Sequence, residues 1–156
     1  MADSSQPIPV VVCGKAEVVG KPVIDGLKPE YDVILLCLGS QPTAAELPYI
    51  LQGRAPPTQS SYLGSGLYST PPVAVIMGTI WGASDVTLVQ EAMRSVGVPS
   101  SRKYPVIMRN DNSIPAPKPP APEYAVQLIR RMRECLGKIT RGEHIDGPGE
   151  EGVVWY

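Results

Sequence analysis

Residues Ile8 to Cys13 form an aliphatic run that stops at Gly14, and Val33 to Leu38 form a second that stops at Gly39. A strand with one wet face alternates polar and apolar residues, so strands without that alternation are covered on both faces, as in a parallel sheet. Between the runs, residues Ala16 to Leu27 place Val18, Val19, Val23, Ile24 and Leu27 at helical spacing, one apolar stripe turned toward the sheet. Pro22 interrupts this segment: either the helix bends there, or its regular part starts near Lys21 with Pro22 in the first turn. Strand Tyr31–Leu38 then completes a βαβ unit, parallel and with a right-handed crossover.

The same alternation continues. A short helix is predicted over 43–51, with Thr43 as its cap and Glu46 in capping-box register. Residues Gly53 to Pro72 show no periodicity and contain two Pro-Pro pairs, a length that in a compact domain implies a covering segment. Val73 to Met77 reads as a third strand, followed by a helix from Ser84 or Asp85 to Val96 with Gly97 as its stop. Tyr104 to Met108 reads as a fourth strand, and a proline-rich connector leads to a last helix over 123–138. Its basic end complements the helix dipole. The expected architecture is α/β, a three-layer, doubly wound, mostly parallel sheet of about four strands in the order 2-1-3-4. The domain is expected to span 1–139, with 140–156 a flexible tail whose apolar tip, Val153 to Tyr156, docks on its own domain or on a partner.

Composition excludes several functions. The 156 residues carry 14 basic and 15 acidic groups with no long run of either sign, which argues against nucleic acid and against a polybasic membrane surface. The start matches neither a signal peptide nor a membrane span. Cys13, Cys37 and Cys135 are odd in number, and two lie in apolar runs, the pattern of free thiols in a reducing, cytoplasmic setting. His144 stands alone, so neither a metal site nor a Ser-His-Asp system is expected.

The stretch Val10 to Gly20 resembles the first strand and turn of NAD(P)-binding Rossmann proteins, in particular atypical and extended short-chain dehydrogenases, and also small fungal proteins of unassigned function. The resemblance implies a turn whose outer glycines are Gly14 and Gly20, where backbone amides hold a pyrophosphate. Glu17 stands where the family has its middle glycine. A carboxylate there brings negative charge and bulk toward the phosphates. No tyrosine is followed four residues later by lysine, and Gly39, Ser40 and Gln41 stand where an acid would hold the adenosine ribose.

Ligands of such sheets sit at the carboxyl ends of the strands, where the strand order reverses, here between Gly14 and Gly78. The expected substrate-binding residues are Gly14, Lys15, Ser40, Tyr68, Gly78, Thr79, Trp81 and Arg109, and the expected catalytic residues are Glu17, Tyr62 and Asp111, with 53–72 as a lid. The preferred reading is a protein that binds a small, apolar organic molecule without a cofactor and acts as an isomerase, cyclase or lyase. A second is a reductase-like NAD(P)-binding protein. A third is a noncatalytic interaction module that presents the proline-rich segments or the tail tip to another chain, or to a second copy as a homodimer.

Overall fold

The computed structural model describes residues 6–78, 80–96, 104–111, 113–115, 122–143 and 152–156. Nine elements follow in chain order: β1 (Ile8–Gly14), α1 (Glu17–Leu27), β2 (Tyr31–Leu38), α2 (Ser40–Leu51), β3 (Ala74–Met77), α3 (Ala83–Arg94), β4 (Val106–Arg109), α4 (Pro122–Thr140) and β5 (Val153–Trp155). The strands form one all-parallel sheet in the order β2-β1-β3-β4-β5. The expected order 2-1-3-4 is present, and the tail tip adds a fifth strand beside β4, with Met108 opposite Val154.

Each face of the sheet carries its own core. Val10, Val12, Val33, Leu36, Ile76 and Met108 pack on one face with Val23 and Leu27 of α1 and Leu128, Met132 and Leu136 of α4. On the other, Val11, Cys13, Cys37, Val75, Met77 and Ile107 meet Leu47 and Ile50 of α2 and Val86 and Val89 of α3. The unbroken hydrophobicity of β1 and β2 is thus the signature of burial from both sides. The register shifts between Val10 and Val11, so Ile34 is an extra residue in β2. That bulge turns Ile34 and Leu35 to the same face.

Helix α1 begins at Glu17 and continues through Pro22. Gly20 makes its seat on the sheet possible: a Cβ there would lie 2.5 Å from Leu36 Cδ2. Helix α2 begins at Ser40, three residues before the expected cap. The Thr43 hydroxyl instead bonds back to the Gly39 carbonyl at 2.7 Å, and Glu46 is buried rather than closing a capping box.

The segment expected to be a lid has a different task. Leu36 N–H donates to Leu63 O, while Ser65 and Gly66 N–H donate to Val33 and Ile34 O, each at 3.0 Å. Leu38 N–H donates to Ser60 Oγ, and the Ser61 hydroxyl donates to Leu36 O. Residues 60–66 therefore run antiparallel along the free edge of β2 and satisfy backbone groups that an open edge would expose. Gly64 permits this approach, with φ +126° and space for no Cβ, since one would lie 2.5 Å from Ile34 O. Among the described residues, no helix is long and apolar enough to cross a membrane.

Candidate functional site

The strands end level with one another: Gly14 opposite Leu38, Met77 opposite Arg109, and Arg109 opposite Trp155. From β1 the chain crosses to β2 on one side and later returns to β3 on the other, so the turns after β1 and β3 part and leave a crevice. Gly14, Lys15 and Glu17 stand on one wall and Gly78 and Trp81 on the other. The Cys13 carbonyl joins them, accepting Gly78 N–H at 3.3 Å and the Trp81 indole N–H at 3.1 Å. Trp81, half-buried, packs against the core on the α2 and α3 side, with its indole nitrogen beside Gly78.

Beside it lies a polar pair that joins two helix starts. The Ser40 hydroxyl, buried in the first turn of α2, donates to Asp85 Oδ1 at 2.7 Å. Asp85 Oδ2 accepts Gly82 N–H at 2.8 Å and caps α3. These two bonds hold the Asp85 carboxyl below the usual carboxylate range, with the serine the stronger influence. No side chain caps α1, whose Ala16 and Glu17 stand at its start, or α2. Glu17 and Lys15 are exposed, and neither is ion-paired among the described residues. Glu17 therefore sits where the helix dipole favours a carboxylate.

The other expected residues are elsewhere. Tyr62 is 78% exposed in the segment that covers the β2 edge, one strand away from the crevice. Tyr68 packs partly into the core under α2 and α3, where burial raises its phenol pKa. Residues 60–66, which include Tyr62, are held along β2. The Arg109 guanidinium, expected to bind substrate, stacks 4.3 Å from the Trp155 ring centroid. Asp111 Oδ1 accepts the Ser113 hydroxyl and N–H, which lowers the carboxyl pKa. Thr79 and His144 lie outside the described residues. No group of three metal-ligating side chains occurs among the described residues.

Two contacts carry no local signal in the sequence. Asp85 was visible only as a helix cap, since its bond to Ser40 spans 45 positions. Tyr156, in the tail tip expected to dock on its own domain or on a partner, buries its ring and donates its hydroxyl to Met77 O at 2.8 Å, at the end of β3. Near it, Asn110 is buried and Arg131 donates Nη2 to the main-chain oxygens of Asp111 and Tyr156.

This sheet order, with helices on both faces and a glycine turn at the strand reversal, defines an α/β protein of Rossmann-like or flavodoxin-like architecture. The chain is similar to "Kojic acid related protein 6" of Aspergillus oryzae, 27% identical over 139 residues that cover 89% of this chain and 82% of that protein. No family model and no solved structure matches it.

Proposed function

We propose that the chain binds a small organic molecule in the crevice between β1 and β3 and acts on it without a dinucleotide, as an isomerase, cyclase or lyase. The observation that carries this reading is the Trp81 indole, anchored to the Cys13 carbonyl at the point of strand reversal. An aromatic face fixed at a crevice base gives an apolar molecule a surface to lie on and a defined orientation. Gly78 lies beside that indole, and Glu17, at the start of α1 after the glycine turn, is the group assigned to carry a proton. Ser40 and Asp85 position the neighbouring helix starts. The name of the Aspergillus relative links that protein to a small organic molecule, kojic acid, which fits the same class of ligand.

Glu17 also argues against pyrophosphate, because its charge opposes phosphate at the helix start. Gly20 is accounted for by Leu36 without any ligand. A reductase-like NAD(P)-binding role draws its support from the uncapped α1 start beside Lys15. Calorimetry separates the two. The expected result is no NAD(P) binding by the wild-type chain, together with a small molecule retained in native mass spectra of protein from its own cells and lost in Trp81→Ala. Tight NAD(P) binding, strengthened in Glu17→Gly, would reverse the assignment.

A further inference from the structure

We propose that the outer edge of β5 is a self-association surface, at which a second copy of this chain pairs antiparallel and joins the two sheets into one. The Ile107 N–H donates to Gly152 O at 2.9 Å and the Tyr156 N–H to Arg109 O at 2.8 Å, with Met108 opposite Val154. Residues 152, 154 and 156 therefore turn their main-chain groups toward β4, and the alternation along a strand turns those of Val153 and Trp155 away from it. Among the described residues, nothing bonds to those outward groups. The opposite edge of the sheet is different, since β2 is covered by residues 60–66. An edge that keeps unpaired donors and acceptors is a template for another strand.

The symmetry of this edge selects the occupant. A two-fold axis through Val154 places Val153 of each copy opposite Trp155 of the other, and each such pair exchanges two N–H···O bonds. The four bonds together satisfy every outward group of both strands. Side chains agree with that register: Val153 and Trp155 lie on one side of the strand, so the axis sets an aromatic ring beside a β-branched residue twice over. Residues 153–156 carry no charge, lysine or proline, so no like charges meet near the axis and no main-chain donor is missing. A net charge of -1 adds little repulsion between copies. Because β5 is three residues long, the association is expected to be reversible and dependent on concentration. The edge lies two strands away from β3, so this surface does not depend on what the crevice binds.

The test uses the full 15N-labelled chain. Sedimentation equilibrium over a wide range of protein concentration measures self-association, and amide hydrogen exchange followed by NMR at both ends of that range shows which residues carry it. A monomer–dimer equilibrium is expected, in which the Val153 and Trp155 N–H groups slow together as dimer forms, while the Val154 N–H, directed at β4, is protected at both concentrations. Trp155→Pro removes one outward N–H per copy and no bond to β4. It is expected to weaken the dimer by about tenfold or more, the effect of two lost hydrogen bonds. Should the proline unseat β5, seen as lost protection at Val154, Trp155→Lys replaces it: this variant keeps the N–H, adds like charge on both sides of the axis, and is expected to weaken the dimer in a way that added salt relieves. A chain that stays monomeric at every concentration overturns the proposal. So does a dimer in which Val153 and Trp155 exchange as they do in the monomer, because it uses another face, and so does undiminished association in a variant that keeps β5 in place.

Discussion

Gly20 and Leu36 together set how closely α1 can approach the sheet. Leu36 is fully buried, so it cannot swing aside for a methyl group placed 2.5 Å from its Cδ2. Gly20→Ala is expected to lower stability by about 1–2 kcal/mol, the overpacking cost less the gain in helix propensity, measured by urea unfolding. Gly26→Ala is the control. Its methyl would meet Ile129, which is only partly buried, so the variant is expected to cost less than Gly20→Ala. Asp85 makes a different prediction. Its folded pKa lies below its ordinary value, so its contribution is present above about pH 4 and lost as pH falls through the folded value. The stability gap between wild type and Asp85→Asn should be open at pH 7 and close on acidification, as followed by denaturant midpoints. A gap independent of pH would show that Asp85 acts there only as a neutral acceptor.

At the scale of elements, the interior strands were legible and the edges were not. Strands β1, β2 and β3 announce themselves because burial on both faces demands aliphatic runs. The helix α3 was legible from its stripe Val86, Val89 and Met93, all buried. By contrast, Ser60 to Gly66 have no periodicity because they cover an edge with backbone and hydroxyl bonds rather than with a hydrophobic face. Strand β5 escaped because three residues carry no period, and its place beside β4 depends on pairing across more than 40 positions. Tyr156 locks that strand. Tyr156→Phe removes the donor to Met77 O inside the core and is expected to cost about 1–2 kcal/mol in thermal or urea unfolding. If stability is unchanged, the phenol bond contributes nothing to docking of the fifth strand.

For the molecule as a whole, the two cores shield all three thiols. Burial pushes Cys13 and Cys135 up to about 11 and raises Cys37 as well. The folded protein is expected to react slowly with Ellman's reagent at pH 8 and to release three equivalents only after unfolding; fast reaction of the native chain would contradict the burial. Since the folded thiol pKa values exceed the ordinary value of 9.0, stability is complete below about pH 9 and declines as pH rises toward 11. The α/β class, the parallel sheet and the strand order at its centre were determined by sequence, because hydrophobic period and turn residues are local quantities that each segment carries in itself. The glycine turn likewise marked the crevice. What the candidate side chains bond to was decided only in three dimensions: Ser40 with Asp85, Trp81 on the Cys13 carbonyl, and Tyr62 exposed on the segment that covers the β2 edge. Hydrogen bonds between residues far apart in the chain leave no periodic trace, and the path of a segment along a sheet edge is settled by which backbone groups still need partners.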